Sequence, residues 1–266
     1  MRITIIGGQG KMGSCFSKAF TSLGHNVIVS DRSTNISNVD AVKDADIVIV
    51  SVPIRSTQEV IEEILPHLRE DTILTDFTSV KVKPLQNMKN APCNVVGGHP
   101  LFGPSSDLKK QNFILCPIKG GYEEYKKILE SIGLQVIVMS GEEHDKLMSM
   151  VQCLTHLSNL SLVYALEKIG INIEDTFNVA SPVYLLRLMI AGRMLAQDAS
   201  LYSDIQEENV FSKDAAKVYL KVVEELVNSD REEFEKIFEK TKQKMGDFAQ
   251  KSLKVTNEIL KVMPNE

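Results

Sequence analysis

The residues best suited to chemistry are a serine and a histidine in two polar segments. Ser79 lies in Asp76-Phe-Thr-Ser-Val-Lys81, and His99 lies in Gly97-Gly-His-Pro-Leu-Phe-Gly103. An imidazole titrates near neutral pH, so it can accept a proton from a substrate hydroxyl while hydride leaves the same carbon. A nearby serine hydroxyl can bridge a nicotinamide ring and the substrate oxygen. The two segments therefore predict a dehydrogenase site with His99 and Ser79 as catalytic residues.

Each of these residues also has a purely structural interpretation. A histidine at a strand end can simply hydrogen-bond to backbone, and Ser79 together with Thr78 can cap a following helix. Lys81 and Asp76 belong to the same loop and can organise Ser79 there. The cofactor turn upstream favours the catalytic interpretation.

A glycine-rich turn near the N-terminus predicts a dinucleotide site. It follows a β-branched strand at residues 2–6 and begins a helix that runs to about residue 23. Glycines at this spacing permit a tight turn, close approach of the backbone to a pyrophosphate, and close packing of helix on strand. Free N–H groups at the helix N-terminus would hold the pyrophosphate. The residues predicted to bind the cofactor at this turn are Gly8, Gly10, Lys11, Met12 and Gly13.

The end of the second strand bears on the choice between NAD and NADP. Asp31 stands 18 residues beyond Gly13, close to the separation of about 20 in dinucleotide-binding folds. Its carboxylate would accept hydrogen bonds from the ribose and repel a 2′-phosphate, which favours NAD. Arg32 would instead attract that phosphate, so NADP stays open as the less favoured cofactor. A later strand end either supports the nicotinamide half or merely terminates the strand, through Ser51, Val52 and Pro53.

The second half of the chain contains two candidate substrate contacts. His156 lies in a long helix and is interpreted either as a substrate contact or as a core histidine. Arg193 lies in an otherwise apolar helix, where it either pairs with a residue such as Asp198 or binds an anion through two parallel hydrogen bonds. His144 is predicted to lie on the surface.

Strands alternate with helices as far as residue 141, which predicts an α/β fold with a doubly wound, mostly parallel Rossmann sheet. The segment 45–52 is interpreted as the fourth strand, after a short third unit. Beyond residue 141 the apolar spacing becomes helical. We therefore expect a dinucleotide-binding domain at 1–141 and an all-helical substrate and dimerisation domain at 142–266. The extent of its apolar faces favours a homodimer through that second domain.

Composition narrows the class of protein. The net charge of -5 is spread over 266 residues without a basic tract, so no nucleic-acid partner is expected. No apolar run approaches the ~20 residues of a membrane span, and no signal peptide is recognisable. Four cysteines lack any Cys-x-x-Cys spacing, which favours free thiols over disulfides or zinc. We expect a cytoplasmic protein with no metal site and no membrane partner.

The motifs in combination resemble the prephenate dehydrogenases of the TyrA family. The resemblance covers nearly the whole chain and is strongest to the dehydrogenase half of fused chorismate mutase–prephenate dehydrogenases. It rests on the glycine turn and the Ser79 and His99 segments, together with Ser51-Val-Pro-Ile54, Thr155-His156, Gly192-Arg-Met-Leu-Ala-Gln-Asp198 and Leu201-Tyr-Ser-Asp-Ile205. Leu101 is a departure, since many relatives carry methionine there. The resemblance does not imply chorismate mutase activity.

This resemblance implies oxidative decarboxylation of prephenate to 4-hydroxyphenylpyruvate, with NAD as hydride acceptor, in tyrosine biosynthesis. By the same resemblance His99 accepts the ring hydroxyl proton and Ser79 orients cofactor and hydroxyl. His156 matches a substrate-side histidine, and Arg193 matches the arginine that binds the side-chain carboxylate of prephenate. Arogenate, the aminated analogue, is the alternative substrate.

Two other functions compete with this interpretation. A hydroxyacid or imine oxidoreductase would share the two-domain plan, but such enzymes usually place a lysine or another polar residue on the second domain as proton partner. A regulator that senses dinucleotides without turnover would not need Ser79 and His99 together. It would also usually carry an additional DNA- or partner-binding module, which the sequence does not show.

Overall fold

Two structural units make up the chain. The computed structural model describes residues 1–263. The first unit comprises residues 1–149 and 200–211, and the second comprises residues 150–199 and the chain from 212 onward. Among the helices of the described residues, none has the length and apolar character needed to cross a membrane.

A seven-stranded sheet forms the centre of the first unit. Its order is β2-β1-β3-β4-β5-β6-β7, and every neighbouring pair is parallel except β5 and β6. The predicted doubly wound, mostly parallel sheet is therefore confirmed. The strands are β1 Arg2–Ile6, β2 Asn26–Ser30, β3 Ile47–Val50, β4 Ile73–Asp76, β5 Asn94–Pro100, β6 Asn112–Lys119 and β7 Gln135–Val138.

Helices cover this sheet. The four residues of β3 are fully buried, as a β-branched run between helical layers should be. Helix α1 ends because Gly24 follows its last turn with φ +82°, a conformation that glycine adopts easily. The helices of this unit are α1 Lys11–Ser22, α2 Asn38–Val42, α3 Ile54–Ile64, α4 Val82–Met88, α5 Glu123–Ser131, α6 Gly141–Met148 and α10 Ala199–Glu208.

The segment between β2 and β3, predicted as a short third strand-helix unit, differs from its prediction. The segment before β3 forms only the short helix α2, whose N-terminus is capped by Ser37. The strand predicted at 45–52 as the fourth is therefore the third, and it is shorter, at Ile47–Val50. Helix α3 begins at Ile54, because Pro53 supplies a fixed backbone turn immediately before it.

The segment that contains α10 belongs to the sheet unit because polar side chains hold it there. Arg55 binds the carboxylate of Asp204 through Nε and Nη2, at 3.1 and 2.5 Å from Oδ1. Asn209 donates its side-chain N–H to the backbone carbonyl of Asp145 at 2.8 Å. These contacts explain why residues 200–211 leave the second half of the chain and return to the first unit.

The second unit is all-helical, as predicted. Its helices are α7 Thr155–Ile169, α8 Ile173–Phe177, α9 Pro182–Leu195, α11 Ser212–Asn228, α12 Arg231–Met245 and α13 Asp247–Lys261. Local capping begins two of them: Ser181 accepts from the N–H of Tyr184, and Asp230 accepts from the N–H of Glu233. Large apolar side chains of this unit remain exposed, including Val179, Val227, Phe238 and Phe248.

Candidate active site

A cleft of about 320 Å³ lies at the glycine turn. It is lined by the turn itself, by the chain that follows β2 and β3, and by the first turns of α3. Six of the predicted cofactor residues line it, namely Gly10, Asp31, Arg32, Ser51, Val52 and Pro53. Three further residues that were not predicted from the sequence also line it, namely Gly7, Asn38 and Ser56.

Close backbone packing shapes the turn. Gly7 has φ +77°, and a Cβ there would lie 2.4 Å from the carbonyl oxygen of Ser51. A Cβ on Gly13 would lie 2.6 Å from the carbonyl oxygen of Gly7, so only glycine lets α1 approach the turn this closely. Gly8 packs closely against β2, since a Cβ there would lie 2.7 Å from Cγ1 of Val29. Lys11 is exposed in the first turn of α1, whereas Met12 packs on the core.

The cleft suits a dinucleotide. The N-terminal turn of α1 has no side-chain cap and no acidic residue, so its N–H groups are available to a phosphate. Asp31 is half-buried, and its Oδ2 accepts the N–H of Gln9 at 3.1 Å, which holds the carboxylate beside the turn. Arg32 is exposed at the same cleft. Amide groups that could hold a phosphate and a carboxylate that could accept hydrogen bonds from a ribose are thus present together.

Hydrogen bonds link the carboxyl ends of neighbouring parallel strands across the sheet, from β1, which leads into the glycine turn, through β3 and β4 to β5. Ser51 donates its N–H to the carbonyl of Ile6, and Phe77 donates to that of Val50, at 2.8 and 3.0 Å. Gly98 then donates its N–H to Oδ1 of Asp76 at 3.3 Å. Strands β1 and β5 are three neighbours apart, roughly 14 Å. The glycine turn and the His99 segment therefore share one edge of the sheet.

A buried ion pair organises the loop after β4. Lys81 and Asp76 are both fully buried, and Nζ of Lys81 contacts Oδ2 of Asp76. The same Oδ2 accepts the N–H of Thr78 at 3.0 Å, and the hydroxyl of Thr78 also contacts it. This network holds the loop in which Ser79 lies half-buried, as the placement of Lys81 and Asp76 in one loop predicted.

A second buried network contains His99, near the end of β5. Nδ1 of His99 lies 2.8 Å from Nε2 of His144, and Nδ1 of His144 lies 2.7 Å from Oδ1 of Asp145. His99 is 2% exposed, and the other two residues are fully buried. Asp145 also accepts the backbone N–H groups of Lys81 and Val82, at 2.7 and 2.9 Å. The loop that carries Ser79 is thereby tied to the histidine pair.

Burial and nearby charge make these imidazoles weak bases. Burial lowers the pKa of His99 well below 6.5, and His144 and the ammonium of Lys81 lower it further. The pKa of His144 is also lowered, mainly by burial, although its hydrogen bond to Asp145 opposes the shift. Both rings are therefore neutral near pH 7, the state in which an imidazole can accept a proton.

The surface position predicted for His144 is wrong. The prediction followed the apolar residues of the helix, yet Leu147 is 46% exposed while His144 and Asp145 face inward. Hydrogen bonds rather than apolar contacts stabilise the buried side chains of His144 and Asp145. Hydrophobic spacing therefore did not reveal that they face inward. A His-Asp pair in a Ser140-capped helix was the available signal.

The structural alternative for Ser79, a helix cap, is also wrong. The residue before α4 is Lys81, and no side chain at that position caps the helix. The carboxylate of Asp145 instead accepts the N–H groups of Lys81 and Val82 at the N-terminus of α4. Ser79 lies in a bend two residues earlier.

The two predicted substrate contacts both belong to the second unit. His156 is half-buried in the first turn of α7, directly after a π-helical segment, Ser149–Leu154, and burial lowers its pKa. Arg193 is exposed in the last turn of α9, where Gln197 donates to its backbone carbonyl at 3.1 Å. Their roles toward a substrate remain predictions.

Comparisons with known proteins match both halves of the chain. The family described as prephenate dehydrogenase, nucleotide-binding domain, matches residues 16–138. The family described as prephenate dehydrogenase, dimerization domain, matches residues 140–240. The predicted domain boundary near residue 141 stays a prediction.

Curated relatives cover all or nearly all of the chain. A probable arogenate/prephenate dehydrogenase of Methanocaldococcus jannaschii is 35% identical over 100% of this chain, which spans 66% of that protein. The T-protein of Haemophilus influenzae is 35% identical over 97% of this chain and 71% of its own length. The chain therefore spans about two thirds of the length of these relatives.

Solved structures share the fold. A prephenate dehydrogenase from A. aeolicus, in complex with hydroxyphenyl propionate and NAD+, has a TM-score of 0.73 at 22% identity, covering 97% of this chain and 98% of that one. An arogenate dehydrogenase from Synechocystis has a TM-score of 0.73 at 18% identity, covering 93% and 100%. Together with the family matches, these similarities show that the chain belongs to the prephenate dehydrogenase family.

Proposed function

We propose that this chain catalyses the NAD-dependent oxidative decarboxylation of prephenate to 4-hydroxyphenylpyruvate, in tyrosine biosynthesis. The observation that carries the proposal is the placement of His99. Its neutral, buried ring lies at the same sheet edge as the dinucleotide cleft, with Nδ1 held by His144. Relatives named for prephenate and arogenate dehydrogenation support the choice of substrate.

His99 serves as the proton acceptor. The substrate loses its ring hydroxyl proton to the imidazole, loses hydride from the same carbon, and releases carbon dioxide as the ring becomes aromatic. When bound, NAD supplies the acceptor for the hydride. The lowered pKa of His99 keeps the ring in its neutral form, ready for the proton, at ordinary cellular pH. Ser79, on the loop beside it, orients the hydroxyl group.

Two residues of the helical unit would recognise the substrate. Arg193, with an exposed guanidinium, binds the side-chain carboxylate through two parallel hydrogen bonds. His156, half-buried and with a lowered pKa, contacts the substrate as a neutral imidazole. Arogenate is the alternative substrate, because it has the same ring as prephenate and differs only in its side chain, where an amine replaces the ketone.

The cofactor is proposed to be NAD. The carboxylate of Asp31 at the cleft disfavours a 2′-phosphate, whereas the exposed Arg32 keeps NADP as the less favoured choice. The turn would hold the pyrophosphate on the uncapped N-terminus of α1.

The assembly is proposed to be a cytoplasmic homodimer formed by the helical domain, with the functional boundary near residue 141. The match to a dimerization domain at residues 140–240 supports this arrangement. Exposed apolar side chains of the second unit, such as Val227 and Phe238, would be covered by a second copy.

One assay tests the proposed function. The purified chain is offered prephenate and arogenate separately, with NAD and with NADP, and the absorbance of reduced nicotinamide is followed. We expect turnover with prephenate and NAD, and 4-hydroxyphenylpyruvate as product. Turnover with arogenate but not with prephenate would show that arogenate is the substrate. The absence of turnover in all four combinations would refute the proposed function.

A further inference from the structure

Three buried groups form a continuous hydrogen-bonded series that ends at the proposed base. Oδ1 of Asp145 lies 2.7 Å from Nδ1 of His144, and Nε2 of His144 lies 2.8 Å from Nδ1 of His99. The rings of His99 and His144 meet edge to face, with centroids 5.0 Å apart and planes inclined by 68°. The base assignment alone requires neither His144 nor Asp145, so this series calls for its own explanation.

The series has one consistent direction of donation. Asp145 already accepts two backbone N–H groups, those of Lys81 and Val82, so its carboxylate acts as an acceptor toward the ring beside it. Nδ1 of His144 must therefore carry a proton. In a neutral ring the other nitrogen, Nε2, is then an acceptor, and it receives the N–H on Nδ1 of His99.

We propose that His144 and Asp145 are positioning residues that fix His99 in the tautomer protonated on Nδ1. Nε2 of His99 then carries the lone pair that takes the substrate proton. The inference rests on the proposed function, because it concerns the base of that reaction. The inference specifies Nε2 as the nitrogen of His99 that accepts the proton, and it names His144 and Asp145 as the residues that determine this.

The surroundings keep both rings neutral, which the series requires. If Nε2 of His144 were protonated, it would donate to Nδ1 of His99. The neutral ring of His99 would then carry its proton on Nε2 instead. Burial disfavours such an imidazolium, and so does the ammonium of Lys81, while the carboxylate of Asp145 acts in the opposite direction. Asp76 partly offsets the charge of Lys81 through their ion pair. The lowered pKa of both histidines agrees with the neutral arrangement.

Asp145 is held firmly enough to act as the origin of the series. Its two carboxylate oxygens accept the N–H groups of Lys81 and Val82 at the N-terminus of α4, and its own backbone carbonyl accepts the side-chain N–H of Asn209 at 2.8 Å. With two contacts to its carboxylate and one to its backbone carbonyl, Asp145 presents Oδ1 to His144 in one orientation. A comparable Asp-His arrangement sets the tautomer of the base in serine proteases, where disturbing it lowers kcat about 10⁴-fold.

Nitrogen NMR of the wild-type chain tests the tautomer directly, without substrate. Ring ¹⁵N shifts distinguish a protonated nitrogen from one that carries a lone pair, and His99→Asn and His144→Asn spectra assign the two rings. We expect at pH 7.5 that Nδ1 of both rings is protonated and Nε2 is not. Protonation of His99 on Nε2 would overturn the proposal, whatever the activity of the enzyme.

A pair of matched variants tests the functional consequence. In His144→Asn the amide reaches Asp145 in place of Nδ1 but falls short of His99. In His144→Gln the amide oxygen reaches the former position of Nε2 and can accept from Nδ1 of His99. We expect kcat to fall about 10²-fold in the asparagine variant and less than about 10-fold in the glutamine variant, with similar KM values for NAD.

Equal kcat losses in the two variants, or losses that follow their melting temperatures, would mean that His144 is merely structural. If either variant fails to fold, the wild-type spectrum decides. The two proposals also fail separately. An inactive wild-type enzyme with the expected tautomer would refute the proposed function alone, and an active enzyme with the opposite tautomer would refute this inference alone.

Discussion

Lys81 and Asp76 form an ion pair in which both side chains have no solvent exposure. Gly97 of β5 leaves space for it, because a Cβ there would lie 2.9 Å from Cδ of Lys81. A Cβ on Gly98 would lie 2.7 Å from the backbone carbonyl oxygen of Asp76, so Gly98 lets β5 approach β4 closely. The glycines that precede His99 therefore have a packing role, because they admit the side chain of Lys81 and the backbone of Asp76 in the segment that holds Ser79.

Removal of one partner of this pair should strongly destabilise the protein. Lys81→Met leaves the carboxylate of Asp76 buried without its cation, so we expect a loss of about 3–5 kcal/mol in the free energy of unfolding. Urea denaturation measures it. Lys83→Met is the matched control, since Lys83 pairs with Glu208 at a partly exposed site and should lose less than about 1 kcal/mol. Similar losses in both variants would contradict the role given to the buried pair.

Replacement of the proposed base should affect turnover and spare the cofactor. We expect His99→Asn to lower kcat by roughly 10²–10⁴, because proton transfer loses its acceptor. The Kd for NAD, measured by titration calorimetry, should remain within about twofold, since the cleft lies at the glycine turn. His67→Asn, at an exposed position, is the control and should leave kcat unchanged. Near-normal turnover in His99→Asn would remove this residue from the chemistry.

The pH profile should reflect a base with a lowered pKa. His99 accepts a proton only in its neutral form, which predominates above its pKa, and that pKa lies well below 6.5. We therefore expect kcat/KM to stay level on acidification through pH 6.5 and to decline only at lower pH. The apparent pKa belongs to the coupled pair with His144. A decline centred at or above pH 6.5 would show that a different group is titrating.

Arg193 should contribute to substrate binding. We expect Arg193→Ala to forfeit about 1.5–3 kcal/mol of binding to the prephenate carboxylate, seen mainly as a higher KM. Arg187→Ala is the matched control, because Arg187 is another exposed arginine of α9. Steady-state kinetics with prephenate compare the two variants. An unchanged KM in Arg193→Ala, or equal changes in both, would exclude the proposed contact.

Much of the fold could be predicted because its signals are local. β-branched runs bounded by glycine predicted the strands around the cofactor turn, and the change to helical spacing near residue 141 predicted the helical second half. The short third unit was not recognised as helix α2, because its five residues, Asn38–Val42, are too few to show a helical periodicity. The π-helical segment Ser149–Leu154 also departs from the 3.6-residue spacing on which such predictions depend.

The sequence by itself determined the family, the glycine turn, Asp31 at the second strand end and His99 as the candidate base, because each is encoded in a contiguous motif. Only the tertiary structure decided the surroundings of His99. The pairing of His99 with His144 joins residues 45 positions apart, and the capping of α4 by Asp145 joins residues 64 and 63 apart. Such buried polar contacts depend on where strands and helices meet, and hydrophobic spacing along one helix does not encode them.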